Sequence, residues 1–146
     1  MTALVFVDSN VLIHAVDEAN PKKHKAAKLW LEELWKSRCG RVSFQVLQEF
    51  YANVTTKWPP ARGQVQAEIR NLLAWRPVII DAETVENAWK LQDRYKISFW
   101  NGLIVSSAKA ASCTYLLTED LEPGQDMDAV VVVNPFRSDP AEILEG

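Results

Sequence analysis

Three acidic residues far apart in the chain, Asp8, Glu49 and Asp120, follow short apolar runs. Asp8 ends Leu4-Val5-Phe6-Val7 and Asp120 comes just after Tyr115-Leu116-Leu117. Glu49 lies one helical turn beyond Arg41-Val42-Ser43, and Asn101 opens a further helical stretch. Gathered in one crevice, these oxygens suit a hard divalent cation such as Mg²⁺ or Mn²⁺. Such an ion activates a water, orients a phosphodiester and stabilises charge on the leaving oxygen. Taken singly, each residue has a plainer reading. Asp8 suits a helix cap, Glu49 a solvated helix face, and Asp120 a turn. Their shared position at strand ends is what points to a site.

The elements that must position them are legible as alternating strands and helices. Leu4–Val7 is a continuous apolar run of the kind buried on both faces of a sheet. Asp8-Ser9-Asn10 starts a helical segment, and Pro21 opens a long helix to about Lys36. A strand at Arg41–Ser43 leads to a helix from Gln45 to about Lys57, ended by Trp58-Pro59-Pro60. Arg62–Ala74 is helical, and Val78-Ile79-Ile80 is expected as a strand after Pro77. Asp81 and Ser98 cap two further helices, reaching about Tyr95 and Ser112. Tyr115–Leu117 and Ala129–Val133 complete five strands, the last stopped by Asn134-Pro135. This alternation predicts a single domain over 1–146, a three-layer α/β/α sandwich around a five-stranded parallel sheet. Ligands of such sheets bind outside the carboxyl ends of the strands, where Asp8 and Asp120 fall.

Composition narrows the classes. At 146 residues, 48% apolar and 24% charged, the chain matches an ordinary globular domain rather than a disordered tail. Its longest early apolar run, Ala3–Val7, is too short for a signal core or a membrane span. A cytoplasmic location with no membrane partner is therefore expected. The net charge of -3 argues against coating nucleic acid by bulk electrostatics, but a carboxylate metal site is itself acidic. Cys39 and Cys113 are distant and read as reduced structural thiols, and His14 and His24 are not at zinc-ligand spacing with them.

The segment Phe6-Val7-Asp8-Ser9-Asn10-Val11-Leu12 resembles the opening of PIN domains. Ser43-Phe44-Gln45-Val46-Leu47-Gln48-Glu49-Phe50-Tyr51 resembles their second acidic motif, and Ile97–Val105, with Phe99-Trp100-Asn101, their third. Leu117-Thr118-Glu119-Asp120-Leu121 resembles the fourth, and Asn134-Pro135-Phe136 the usual ending. Each motif is weak alone, but their order and spacing span nearly the whole chain. The resemblance implies catalytic and metal-site roles for Asp8, Glu49, Asn101 and Asp120, with Ser9 in support. For the VapC branch it further implies an RNA-cleaving toxin held inactive by a cognate antitoxin, commonly as a homodimer.

Asn101 departs from that family, whose third acidic position is usually Asp. An amide offers one neutral oxygen and a donor that a cation repels. Losing a unit charge about 4 Å from a cation weakens the attraction by about 4 kcal/mol at an effective dielectric of about 20, offset in part by relief of carboxylate repulsion. Three readings stand open: an active variant, an impaired domain that still binds RNA or antitoxin, and an engineered inactive form. A phosphatase of the haloacid dehalogenase type also places Asp after its first strand. It wants a second Asp two residues on, where this chain has Asn10, and it leaves Glu49 unexplained.

Among other features, Lys22-Lys23-His24-Lys25 and Lys28 read as a solvated helix face before an RNA guide. Arg94, Lys96 and Lys109 lie near the third motif and are further RNA candidates. The six tryptophans read as core or partner-groove residues before base-stacking platforms. His14 reads as packed or exposed rather than catalytic.

Overall fold

A computed structural model describes residues 3–144, so the ends of the expected 1–146 domain lie outside the described residues. The chain runs β1 (Val5–Val7), α1 (Ser9–Val16), α2 (Pro21–Ser37), β2 (Gly40–Arg41) and α3 (Phe44–Lys57). It continues through α4 (Arg62–Leu72), α5 (Ala82–Tyr95), α6 (Phe99–Ala110) and β3 (Tyr115–Leu117). β4 (Asp126–Met127), β5 (Val130–Val133) and α7 (Pro140–Ile143) complete it. Single 3₁₀ turns at Pro59–Ala61 and Leu73–Trp75 flank α4.

The architecture is α/β, with one five-stranded sheet in the order β2-β1-β3-β5-β4. Successive strand residues face opposite sides of a sheet. Val5, Phe6 and Val7 are all at 0% exposure, so helices cover both faces of β1, as its unbroken apolar sequence predicts. The core continues from this strand into Trp30, Val46, Phe50, Leu116 and Val132. Cys39 and Cys113 are buried in it as free thiols, and burial pushes Cys113 up to about 12.

Two expectations about strands need correction. The sheet is not wholly parallel: β2, β1, β3 and β5 run together, while β4 pairs antiparallel with β5. This strand is two residues long, too short and too polar to read as a strand by periodicity. Asp128 and Ala129, both at positive φ (56° and 73°), turn the chain between Met127 and its partner Val130. That is the two-residue hairpin geometry, built here without the Asn-Gly that normally announces it. Ala129, expected inside the last strand, therefore belongs to the turn. The second correction concerns Val78–Ile80, which is no strand. Val78 makes one parallel bridge to Ser43, exchanging backbone hydrogen bonds with Val42 and Phe44 at 2.9 and 3.0 Å. Ile79, 72% exposed, then points out into solvent. The apolar run reflects an edge lying along the domain, not burial on two faces.

Helix α5 starts at the Asp81 cap expected from sequence, while the Asn20 and Ser43 caps of α2 and α3 are not among those expected. Asn20 Oδ1 accepts from Lys23 N, with Pro21 in the first turn, Ser43 Oγ from Val46 N, and Asp81 Oδ1 from Thr84 N. Helices α5 and α6 pack so closely that a Cβ on Gly102 would stand 2.8 Å from the Ala88 carbonyl oxygen. Among the described residues no helix is long and apolar enough to cross a membrane.

Candidate active site

The strand order creates the crevice. From β1 the chain crosses to β2 on one side and later returns to β3 on the other. The order in which strands are added thus reverses between the parallel neighbours β1 and β3, and ligands of open α/β sheets bind at that point. Asp8 follows β1, and its backbone N–H donates to Leu117 O at 3.1 Å; Thr118, Glu119 and Asp120 follow β3.

Asp8 is both a cap and a lining residue of the crevice. Its Oδ1 accepts from Ser9 N at 2.7 Å, capping α1, while its Oδ2 accepts from Thr118 Oγ1 at 2.9 Å. Only 4% of the residue is exposed. Burial pushes its carboxyl up to about 6, against the hydrogen bonds from Thr118 and Ser9, and the neighbouring charges of Asp120 and Glu49 push the same way. Glu49, half-buried on α3, is also raised, chiefly by burial and further by Asp120. The Ser9 and Gln45 side chains favour its charged form, although the Gln45 amide makes no hydrogen bond of ordinary geometry. Asp120 is exposed at the mouth, its backbone N–H donating to Thr118 Oγ1 at 3.1 Å. The structure therefore brings Asp8, Glu49 and Asp120 within electrostatic reach of one another, with Ser9 beside them.

Asn101 is placed differently. It lies in the first turn of α6, half-buried, with its backbone N–H donating to the capping Ser98 Oγ at 3.1 Å. Among the described residues no hydrogen bond joins its amide to the three carboxylates. Next to it Trp100 is 63% exposed, in edge contact with Phe99.

Sequence reasoning passed over two polar residues that organise the crevice. Asn10 Nδ2 donates to Asp120 Oδ2 at 3.2 Å, to Thr118 Oγ1 at 3.0 Å and to Asp8 Oδ2 at 3.4 Å. Its Oδ1 accepts from Glu119 N. Thr118, at 0% exposure, links Asp8 to the Asp120 loop. Their signal was present as an Asn two residues after one strand-end Asp and a Thr two residues before the other. Beside them Glu119 accepts from Lys23 Nζ and meets His14 Nε2, each at 2.9 Å, tying the loop to α1 and α2. Lys23 is thus paired rather than part of a free basic face. His14 is packed, its ring edge-on to Phe136.

The donor set tests what this crevice can hold. Three carboxylates from different elements, one of them disfavoured as an anion chiefly by its own burial, match an oxygen-seeking divalent ion in charge and donor type. Among the described residues, no three Asp, Glu, His or Cys side chains yet surround a common point. The Asn10 amide, a donor, lies between the Asp8 and Asp120 carboxylates in that arrangement.

The family model of the PIN domain matches residues 5–125. The chain belongs to the PIN domain family. Its fold is similar to a chain of a toxin–antitoxin complex from Klebsiella pneumoniae, at 17% identity and a TM-score of 0.62, covering 90% of this chain and 97% of the other. It is also similar to VapC20 of Mycobacterium tuberculosis, described as a toxin cleaving the sarcin–ricin loop, at 21% identity and a TM-score of 0.60, covering 77% and 86%. A third likeness, at 17% and 0.58 over 88% and 96%, is to VapBC2 of Rickettsia felis, bound to DNA from its promoter. No curated protein matches the chain.

Proposed function

We propose that this PIN domain is a Mg²⁺- or Mn²⁺-dependent endoribonuclease toxin, neutralised by a cognate antitoxin, with Asn101 weakening its metal site. The observation that carries the reading is the buried Asp8 carboxyl. It is pushed up to about 6 beside Asp120 and Glu49, at the switch point of the sheet. A carboxylate raised chiefly by burial, and further by two nearby acids, costs stability when ionised unless a cation relieves it, and such costs are typical of functional sites. Asp8, Glu49 and Asp120 would hold the ion, with the Asn101 carbonyl oxygen at the fourth position. A bound divalent ion supplies charge neutralisation and an activated water for phosphodiester hydrolysis.

The chain's own residues prepare that chemistry. Thr118 fixes Asp8 Oδ2 through a 2.9 Å hydrogen bond, and Ser9 N–H fixes Oδ1, so the carboxylate cannot swing away. Asn10 and Thr118 hold the Asp120 loop in register with β1. Trp100, exposed one residue from Asn101, offers a face on which an unpaired base can stack. The likeness to toxin–antitoxin complexes supports an antitoxin partner. Exposed Trp89 on α5 supports a second copy as homodimer partner. Trp30 is unavailable to either, being 1% exposed and hydrogen-bonded to the Pro135 and Ser138 carbonyls.

The test is cleavage of total cellular RNA with and without Mg²⁺ or Mn²⁺, comparing this protein with Asn101→Asp. Metal-dependent fragments that increase in the Asp form support the reading. A second reading, favoured by Asn101 itself, is an impaired domain that grips RNA or antitoxin without cutting. It predicts metal-independent binding and no fragments from the chain as it stands.

A further inference from the structure

Between the end of α2, the edge strand β2 and the turn after α4 lies a cleft of about 330 Å³. It is lined by Trp35, Arg38, Arg41, Ala74, Trp75 and Arg76. Among the described residues none of its arginines is in an ion pair. The Arg41 guanidinium reaches only backbone carbonyls, Gly40 O at 2.8 Å and Arg38 O at 3.4 Å. Helix C-termini attract basic residues, which accounts for a positive charge near the end of α2. It does not account for three guanidinium groups around one cleft with no carboxylate to meet them.

Two further observations point to a ligand. Arg38 and Arg76 both hold left-handed backbone, at φ 56° and 53°, positions just past helical turns where glycine is the usual residue. Keeping arginine at both places the charge at the cleft despite the backbone cost. Trp75 is 3% exposed, yet its indole N–H has no acceptor. That nitrogen is closed to solvent, so Trp75 serves the cleft as an inner apolar wall and not as a donor to a ligand. Trp35 stands beside Trp75, ring centroids 4.8 Å apart, with 40% of its own surface free.

We propose that this cleft binds a nucleoside phosphate, its phosphate held by the Arg38, Arg41 and Arg76 guanidiniums and its base against Trp35. Guanidinium forks match phosphate oxygens in pairs, and indole faces take any base by stacking. The site is separate from the carboxylate crevice and does not depend on the nuclease reading. Two sources share this chemistry, a free nucleotide and a segment of single-stranded RNA.

The test is calorimetric titration of the whole chain with adenosine 5′-monophosphate, adenosine and inorganic phosphate, in EDTA so that no divalent ion holds phosphate at the other site. The nucleotide should saturate with a Kd below about 1 mM, and about tenfold more tightly than adenosine or phosphate. Arg38→Gly and Arg76→Gly remove a guanidinium while easing the left-handed backbone, so both variants should fold. Each should weaken the nucleotide about tenfold, and Trp35→Ala should reduce it to the level of inorganic phosphate. A single-stranded oligonucleotide that displaces the nucleotide at lower concentration assigns the cleft to an RNA segment; weaker displacement assigns it to a free nucleotide. The proposal is overturned by no saturation, by binding that survives both glycine variants, or by an acidic peptide that displaces the nucleotide better than the oligonucleotide does.

Discussion

Asp8→Asn separates the carboxylate's electrostatic cost from its capping role. In the folded chain Asp8 titrates at about 6, against an ordinary value of 3.8. The folded state therefore holds this proton more tightly than the unfolded state does. Its contribution to stability is complete below pH 3.8 and disappears as pH rises through about 6. At about 1.4 kcal/mol per pKa unit, the metal-free protein loses about 3 kcal/mol across that window through this one group. Asparagine keeps an oxygen that can accept from Ser9 N–H but does not titrate. The assay is urea unfolding in EDTA at several pH values, comparing the two proteins. The gap in unfolding free energy should shift in favour of Asp8→Asn by about 3 kcal/mol between pH about 4 and about 7.5. Adding Mn²⁺ at the higher pH should then stabilise the natural chain and leave the variant unmoved, since only a ligand bound to the folded state raises stability. A gap that stays constant with pH would show that Asp8 is not held protonated by its surroundings, and the case for a cation-seeking crevice would lose its foundation.

Other outcomes follow from the same geometry. Asn101→Asp should tighten Mn²⁺ binding at least about tenfold, equivalent to about 1.4 kcal/mol, read by calorimetry; equal affinities remove Asn101 from the site. Thr118→Val keeps the shape but deletes the hydroxyl between Asp8 and the Asp120 backbone, and should cost about 1–3 kcal/mol by denaturant unfolding. Gly102→Ala puts a methyl 2.8 Å from the Ala88 carbonyl oxygen, so α5 and α6 must part; a loss of about 1–3 kcal/mol is expected, and an unchanged midpoint would contradict that packing. Trp30→Ala, which empties a core position and leaves two carbonyls without their indole donor, should cost about 3–5 kcal/mol in the same assay.

What the sequence disclosed depended on how local each signal was. Caps at Asp81 and Ser98 stand next to the helices they start, and the structure realises each as a side-chain hydrogen bond. β1 was legible because burial on both faces leaves an unbroken apolar run. The same rule misread Val78–Ile80, where apolar side chains line an edge, and overlooked β4, whose existence rests on a turn of two residues. In the crevice, acidic residues drew notice because metal chemistry needs charge. Asn10 and Thr118 carry none, so their role emerged only once β1 and β3 lay side by side. For Glu119 the missing information was its distant partners, His14 and Lys23, brought to it by the packing of α1 and α2.

The outer strands of the sheet bear on how this domain can meet other proteins. On one side β2 spans two residues, and the chain around Val78 runs beside its end. On the other, β4 also spans two residues and turns straight into its neighbour. Neither margin exposes a run of free amides and carbonyls long enough to template another chain's strand. Among the described residues, any partner would then meet side chains standing on helices, and substitutions there could alter the fit without disturbing the sheet beneath.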